Sequence, residues 1–330
     1  MLVTTGVSLE SIRYGCASSS KSFDVIGFGA LNVDKLFKVK RVAGVDDESY
    51  IIEIREESGG SAANTIVGLA RAGLKTGFIG KVGDDREGRK LIRDLKKEGV
   101  DVSNIVVERG VKSGIALCFF DDKGHRTIYV MPGANDYLNV NDINLEYASR
   151  ARILHITSFI GDAPLNVQRT LLEHLPSSVK VSLDPGAIYA QKGLSHIEPL
   201  IRHTNILLLN HEELRMLTGK ASIEEGVNTM LSLGVDIVAV KLGEKGCFVT
   251  NGYQRYYVEP YKCEVVDPTG AGDAFNAGFL YGLIKGRSLS DCGKLGNFFA
   301  SHKMTKFGAR SGLPRLSEIE SFIARELEKK

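Results

Sequence analysis

From residue 153 onward, short apolar segments of the chain alternate with stretches of helical periodicity. The apolar segments cover residues 153–158, 179–183, 206–209 and 235–241. Alternation of this kind builds βαβ units, which place parallel strands side by side and helices on both faces of the sheet. The sequence therefore predicts an α/β fold with a doubly wound, mainly parallel sheet flanked by helices.

The first half of the chain carries a different pattern, in which polar and apolar residues alternate. Residues 35–42 and 49–56 form one such pair around a polar turn, and residues 114–120 and 127–130 form another. Strands with this alternation have one exposed face and pair as hairpins, so we expect a small β-sheet lid. The predicted boundaries are residues 35–56 and 113–131 for the lid, residues 23–34, 57–112 and 132–330 for a large α/β domain, and residues 1–22 for an N-terminal extension.

Composition and charge exclude several classes of function. The 42 basic and 40 acidic residues leave a net charge of +2, which gives no reason to expect nucleic acid or an anionic membrane as a partner. The five cysteines include no Cys-x-x-Cys pair, so a structural zinc site is not expected. No apolar run approaches the roughly 20 residues that span a bilayer. Scattered cysteines are typical of reduced thiols, so we expect a cytoplasmic location.

The segment at residues 267–273, Asp-Pro-Thr-Gly-Ala-Gly-Asp, follows a predicted short strand at 264–266 and opens a predicted helix. Small residues let the backbone approach a ligand closely, and amide groups at a helix start attract anions. Asp273 then lies beside any anion bound there. A kinase gives a reason for this pairing, because the amides bind the phosphoryl group and the carboxylate accepts the proton of the attacking hydroxyl. The alternative is a helix N-terminus with a tight glycine turn.

The same segment resembles the C-terminal signature of the ribokinase-like (PfkB) kinases. A second signature of that family, Gly-Gly-Ser-Ala-Ala-Asn, occupies residues 59–64, about 200 residues earlier. The order and spacing match the family, and the resemblance runs from about residue 23 to residue 315. It implies an ATP-dependent carbohydrate kinase. The implied catalytic residues are Asp273 as general base and Gly270, Ala271 and Gly272 as the amides that stabilise the transferring phosphoryl group.

Polar residues near the lid are the candidates for substrate binding. Asn32 and Asp34 follow the first predicted strand, and a fixed carboxylate accepts hydrogen bonds from two vicinal hydroxyls, which suits a polyol. Taken alone, this pair is better explained as a turn at a strand end. Ser61 is also the predicted N-cap of a helix that runs to about residue 72. The resemblance implies that the substrate contacts Asn32, Asp34, Gly59, Gly60, Ser61, Asn64 and Asn135.

Another group of residues resembles the family's nucleotide site. Asn210 and Glu213 resemble the motif that orders the Mg²⁺ of Mg·ATP through water, although a helix-capping box has the same pattern. The implied ATP-binding residues are Asn210, Lys241, Gly243, Gly246, Thr269 and Asn297.

Asp267 and Thr269, together with the loop at residues 306–314, resemble a site that holds a monovalent cation in potassium-activated members of the family. The loop departs from ribokinase because its serine is shifted to Ser311, with Gly312 following. The implied cofactors are therefore ATP and Mg²⁺, with K⁺ as an additional possibility.

Other nucleotide-binding patterns are absent. Gly27 and Gly29 begin a dinucleotide fingerprint, but Asn32 occupies the place of its third glycine, and a hairpin follows instead of a helix. The Gly-x₄-Gly-Lys-Ser/Thr motif of P-loop kinases does not occur either. A sugar-binding regulator without catalysis is a further alternative, which the intact Asp273 disfavours.

The choice of substrate depends on weaker features. No arginine or lysine is evident beside the substrate motifs, which disfavours a sugar phosphate. We therefore expect a neutral sugar such as ribose or fructose, with an adenosine-type nucleoside as second choice. Tyr50, Ile52 and Ile54 on one predicted lid strand are compatible with a homodimer formed through the lid, or with a cover over the substrate within one chain.

Overall fold

The computed structural model describes residues 21–327, so most of the predicted N-terminal extension lies outside the described residues. The strands of the described part are β1 (Phe23–Phe28), β2 (Asn32–Val39), β3 (Ile51–Gly59), β4 (Thr76–Gly83), β5 (Asp101–Glu108), β6 (Gly114–Phe120), β7 (Arg126–Met131), β8 (Ala151–Thr157), β9 (Lys180–Asp184), β10 (Ile206–Asn210), β11 (Ile237–Lys241), β12 (Cys247–Thr250) and β13 (Arg255–Val258). The helices are α1 (Ser61–Arg71), α2 (Arg86–Lys97), α3 (Leu145–Ser149), α4 (Asp162–His174), α5 (Gly186–Lys192), α6 (Leu194–Ile201), α7 (His211–Thr218), α8 (Ile223–Ser232), α9 (Ala271–Ile284), α10 (Leu289–Met304) and α11 (Leu316–Glu326).

Nine strands form the main sheet, in the order β13-β12-β11-β10-β9-β8-β1-β4-β5. The strands from β11 to β5 are parallel, and β12 and β13 extend the sheet as an antiparallel hairpin. Every residue of β4 is buried, as expected for a parallel strand covered on both faces. The predicted α/β class and mainly parallel sheet are therefore confirmed.

Helices cover both faces of this sheet because its strands present apolar side chains in both directions. On one face, α1, α2, α9, α10 and α11 pack against Val25, Phe78, Ile153 and Leu208. On the other face, the helices from α3 to α8 pack against neighbouring positions of the same strands, such as Ile26 and Leu154. The strand positions therefore alternate between two apolar cores, which is the doubly wound arrangement.

A separate small sheet has the strand order β3-β2-β6-β7. Its two hairpins are antiparallel, and they meet through the parallel pair β2 and β6. Both hairpins were expected from the alternating pattern. Strand β2 begins at Asn32 and β3 continues to Gly59, so candidate substrate residues lie within this sheet. The boundary between lid and large domain stays a prediction.

Some local predictions were wrong or incomplete. Residues 264–266 form no strand; instead, the N–H groups of Val266 and Asp267 both donate to the carbonyl of Met304, which attaches this segment to the end of α10. The sequence pattern also gave no sign of β5, β12 and β13. Strands β12 and β13 have only four residues each, which is too short for a clear periodicity. Among residues 21–327, no helix combines the length and apolar character needed to cross a membrane.

Candidate active site

Asp273 lies in the first turn of α9 and links the two sequence signatures directly. Its Oδ1 accepts a 2.6 Å hydrogen bond from the Ser61 hydroxyl, and its Oδ2 accepts a 2.8 Å bond from the Asn64 side-chain amide. The Thr65 hydroxyl donates to the Asp273 carbonyl. Residues more than 200 positions apart are thereby fixed against one another at the N-termini of α1 and α9.

The contacts of Ser61 correct its expected role as a helix cap. The N-cap of α1 is Gly60, with φ 102°, and no side chain caps this end. A Cβ atom on Gly60 would lie 2.2 Å from the carbonyl oxygen of Ala30, so only glycine fits there. The Ser61 hydroxyl is directed to Asp273 instead.

The environment of Asp273 is suited to a proton acceptor. Burial raises the pKa of this carboxyl group, and the neighbouring Asp184 raises it further. The hydrogen bonds from Ser61 and Asn64 and the charge of Lys241 oppose that shift. A carboxylate whose pKa is moved toward the working pH is a more effective general base, provided that it remains mostly ionised.

Asp34 on β2 is held next to Gly59 on the adjacent β3. An ideal Cβ on Gly59 would lie only 2.2 Å from Asp34 Oδ2, so the carboxylate occupies space that any larger residue would fill. Burial raises the pKa of Asp34 to about 7, with further contributions from Glu57 and Asp273, whereas Arg310 lowers it. Asp34 therefore titrates near neutral pH.

Asn135 and Asn32 lie together, with different roles. The Asn135 amide group donates to Asn32 Oδ1 at 3.0 Å and to the carbonyls of Leu31 and Pro132, and its oxygen accepts from the Leu31 N–H at 2.9 Å. It is only 2% exposed. Its polar atoms are therefore engaged by the protein, and Asn135 positions Asn32 at the start of the lid.

Arg310 is a site residue that the sequence analysis missed, and the expectation of no arginine beside the substrate motifs was wrong. Its Nε donates to Asn64 Oδ1 at 2.7 Å, and its Nη2 donates to the Gly59 carbonyl at 3.1 Å. Burial lowers the pKa of Arg310 to about 10, against the attraction of Asp34, so the guanidinium remains charged at neutral pH. Arg310 and Asn64 are 246 positions apart in the sequence, so the sequence pattern could not reveal this contact.

One of the three backbone amides of the predicted anion hole is already hydrogen-bonded within a turn. Gly270 adopts a left-handed conformation with φ 78°, and a Cβ there would lie 2.8 Å from the Ala309 carbonyl oxygen. The Ala271 N–H donates to the Pro268 carbonyl at 3.1 Å. The predicted hole therefore depends mainly on Gly270 and Gly272.

A buried ion pair lies beside Gly272. A Cβ on Gly272 would be 3.6 Å from Lys241 Nζ, and that ammonium group donates to Asp184 Oδ2 at 2.7 Å. Asn276 donates to the same oxygen at 2.6 Å. Burial would raise the pKa of Asp184, but the Lys241 charge and these bonds hold it below its usual value. Sequence reasoning missed Asp184, although its place after an apolar strand and before Pro185 was a usable signal.

Asn210 and Glu213 form a helix-capping box, which was one of the two interpretations of this motif in the sequence. Asn210 Oδ1 accepts from the Glu213 N–H, and Glu213 Oε2 accepts from the Asn210 N–H, both at 2.8 Å. Burial raises the pKa of Glu213, and Asp184 raises it further. Glu213 and Asn210 carry carboxylate and amide oxygens, which are the ligand types that Mg²⁺ prefers, so this pair fits a water-mediated contact with a magnesium ion that arrives with ATP.

The remaining predicted nucleotide residues lie in two other places. Gly243 and Gly246 flank a tight turn after β11, both with positive φ. The Asn297 amide donates to the carbonyls of Val258 and Glu259 at 3.0 and 2.9 Å, so both of its hydrogens are used to hold the end of β13. Their contacts with a nucleotide stay predictions.

The residues expected to hold a monovalent cation do not fit one. Asp267 accepts hydrogen bonds from the N–H groups of Thr269 and Gly308, at 2.9 and 2.8 Å. The Lys303 ammonium donates to the Asp267 carbonyl at 2.7 Å and lies 4.0 Å from its Oδ2. Like charges at short range repel strongly inside a protein, where the effective dielectric constant is far below that of water. A metal ion at these oxygens would meet that repulsion.

A cavity of about 450 Å³ lies between the small sheet and the loop that leads to Gly270. Leu36, Cys118 and Phe120 line it from the sheet, and Phe307 lines it from the loop after α10. Arg55 from β3 lies over the Phe307 ring, 4.5 Å from its centroid. The cavity therefore combines apolar rings with charged groups.

Comparison with known proteins places the chain among sugar and nucleoside kinases. Residues 23–316 match the family model of pfkB family carbohydrate kinases. An uncharacterized sugar kinase of Archaeoglobus fulgidus is 44% identical over 252 residues, which cover 76% of this chain and 99% of that protein. Arabidopsis thaliana ribokinase, complexed with ribose and ATP, has a similar structure, with a TM-score of 0.81, 25% identity, and coverage of 91% of this chain and 98% of that one. The nucleoside kinase of Methanocaldococcus jannaschii matches with a TM-score of 0.80 and 25% identity, over 93% of this chain and 100% of that one.

The raised pKa of Asp34 makes a prediction about stability. Because the folded state holds this proton more tightly than the unfolded chain does, the contribution of Asp34 to stability decreases as pH rises from about 4 to about 7. We expect Asp34→Asn to increase the free energy of unfolding above pH 7 by about 1–3 kcal/mol, and by progressively less toward pH 4. Chemical denaturation at a series of pH values measures this. Asp122→Asn, at a mostly exposed lid residue, is the matched control; equal pH dependence in both variants would contradict the assignment.

Proposed function

The chain belongs to the PfkB family of carbohydrate kinases, and we propose that it transfers the γ-phosphoryl group of ATP to a hydroxyl group of a neutral sugar such as ribose or fructose. The observation that carries this proposal is the position of Asp273 in the first turn of α9, where hydrogen bonds from Ser61 and Asn64 fix its carboxylate. A hydroxyl group and a phosphoryl group that meet there have a base on one side and helix-terminal amides on the other.

In the proposed mechanism, Asp273 accepts the proton of the attacking sugar hydroxyl. Ser61 and Asn64 orient the carboxylate, and Arg310 in turn orients Asn64. The amides of Gly270 and Gly272 stabilise charge on the transferring phosphoryl group. Asp34 accepts hydrogen bonds from other hydroxyls of the sugar, which positions the reacting one.

The nucleotide phosphates are proposed to lie between α9 and α7. Lys241 supplies a positive charge next to Gly272, and Glu213 with Asn210 would hold the Mg²⁺ of Mg·ATP through water. When bound, this ion neutralises charge on the phosphates. The Asp184–Lys241 pair keeps the ammonium group in place.

Substitution of Asp273 tests the assignment of the base. Asparagine keeps the shape and an acceptor for Ser61 but cannot take a proton, so Asp273→Asn should lower kcat by about 10²–10⁴. We expect the affinities for ATP and sugar, measured by calorimetry, to change little. Asp291→Asn, which changes the first-turn acid of α10, is the matched control. Turnover of Asp273→Asn close to that of the unsubstituted protein would refute the role of Asp273.

An adenosine-type nucleoside is the second candidate substrate. The Phe120 and Phe307 rings, 5.9 Å apart between centroids, line the cavity below the lid and offer an apolar surface to a base. The structural similarity to a nucleoside kinase favours the same candidate.

A substrate screen decides between these candidates. We expect ribose or fructose to raise the thermal unfolding midpoint and to be phosphorylated in the presence of Mg·ATP, because ligand binding stabilises the folded state. Adenosine and a sugar phosphate serve as comparisons, the latter because Arg310 lies beside the substrate motifs. A response to adenosine without any response to the neutral sugars would reverse the order of the two proposals.

We also propose that the chain forms a homodimer through the outer face of the small sheet. Phe37, Ile54 and Phe119 lie opposite one another on this face, and Tyr129 packs edge-on against Phe119. The opposite face of the same strands lines the cavity. Ile54 and Tyr129 are 62% and 63% exposed, so the outer face is an apolar surface without a cover within the described chain.

The dimer proposal predicts a change in mass on substitution of one residue. Ile54→Lys places a charge in the centre of the apolar face, so sedimentation equilibrium should show a shift from dimer toward monomer. Val45→Lys, at a turn residue that is 93% exposed, should leave the dimer intact. A monomeric unsubstituted protein at micromolar concentration would exclude the proposal.

A further inference from the structure

Lys303 is a buried lysine that neither sequence signature includes. Its side chain is 0% exposed, and its ammonium group donates to the Asp267 carbonyl at 2.7 Å and lies 4.0 Å from Asp267 Oδ2. These two oxygens belong to the residue that was expected to bind a monovalent metal ion. An ammonium group has the charge of K⁺ and a comparable size, and both interact well with carbonyl and carboxylate oxygens.

We propose that Lys303 is a built-in cation that replaces a monovalent metal ion at Asp267, so that the enzyme does not depend on potassium. The inference rests on the proposed function, because the segment that Lys303 supports leads directly into the catalytic residues at 270–273. Lys303 acts through Asp267 and is therefore a positioning residue.

The contacts around Asp267 show what such a cation would stabilise. The Asp267 carboxylate connects the N–H of Thr269 to the N–H of Gly308, and the Met304 carbonyl accepts from the Asp267 N–H. The segment before the proposed anion hole is thereby attached to the end of α10 and to the loop that follows. Lys303 adds a charged bond to the same junction.

A second carboxylate at this junction increases the need for a positive charge. Glu57 on β3 packs on Gly308 so closely that an ideal Cβ there would lie 2.3 Å from both Glu57 carboxylate oxygens. Asp267 and Glu57 therefore approach the same short loop from two sides. Two ionised carboxylates near one another repel, and a neighbouring cation offsets that repulsion.

The loop at 306–314 offers no side-chain ligand for a metal ion at residue 312. Gly312 occupies the position after the shifted Ser311, and a Cβ on Gly312 would lie 2.3 Å from the Lys303 carbonyl oxygen. No side chain, and hence no hydroxyl, fits at residue 312, and Ser311 itself is exposed. The buried ammonium group of Lys303 and the missing side chain at Gly312 both favour an ammonium group over a bound metal ion at this position.

The unsubstituted protein provides the first test. Its thermal midpoint, its affinity for Mg·ATP and its phosphotransfer rate should agree within about twofold in potassium chloride and in choline chloride at equal ionic strength, which keeps general screening the same. Stimulation of the rate or of the affinity by potassium beyond that range would overturn the proposal. This comparison needs no variant, so it decides the matter even if substitution of Lys303 prevents folding.

Removal of the ammonium group is the second test. In choline chloride, Lys303→Ala should lose about tenfold or more in ATP affinity and turnover. Both should recover in part in potassium chloride or ammonium chloride, because K⁺ or NH₄⁺ can occupy the place of the missing ammonium group. Lys294→Ala, on the same helix α10 with a partly exposed ion pair, is the matched control and should behave like the unsubstituted protein. Full activity of Lys303→Ala in choline chloride would show that the ammonium group is dispensable.

Failure of the proposed function would be visible separately. If no sugar or nucleoside is phosphorylated in any salt, the proposed kinase activity is wrong, whereas the thermal midpoints and ATP affinities still report on Lys303.

Discussion

The hydrogen bonds that Asp273 accepts from Ser61 and Asn64 determine how the rest of the site is arranged. They fix the N-terminus of α9 against that of α1. The helices themselves pack closely enough for this contact, since a Cβ on Gly68 of α1 would lie 2.8 Å from Ala277 Cβ on α9. Gly60 admits the turn into α1 only because it carries no side chain. A small displacement between the two helices would therefore separate the proposed base from the groups that orient it.

Charge compensation is the second organising constraint. Asp184 is paired with Lys241, Asp267 lies beside Lys303, and Arg310 stabilises the charged form of Asp34. Each cation comes from a different element than its acid, so the pairs also hold the elements together. Asp273 lacks a comparable ion-pair bond, and burial raises its pKa. A carboxyl group with a raised pKa is a candidate for proton transfer, which agrees with the proposed role.

The small sheet contributes residues to the proposed substrate site from the end at which β2 begins and β3 ends. Asn32 and Asp34 open β2, and Gly59 closes β3, so the sheet begins and ends at the proposed substrate position. One of its faces lines the cavity, and the other exposes an apolar surface. Movement of the sheet would therefore change access to the cavity and the position of Asp34 together.

The amino-acid sequence by itself determined the fold class, the two hairpins of the small sheet and the family, because these depend on local periodicity and on short motifs with fixed spacing. It indicated Asp273, Asn64 and Asp34 as site residues for the same reason. The sequence analysis did not identify Arg310 or Lys303, it overlooked the position of Asp184 after an apolar strand, and it misread Ser61 as a helix cap. The roles of these residues depend on contacts between distant parts of the chain. In retrospect, Lys303 continues the buried stripe of α10 four residues after Phe299, a place where a charged residue is stable only with a partner. Which carboxylate faces which cation was decided only by the tertiary structure, since hydrogen bonds and charge pairs form between side chains that the fold, not the sequence order, brings together.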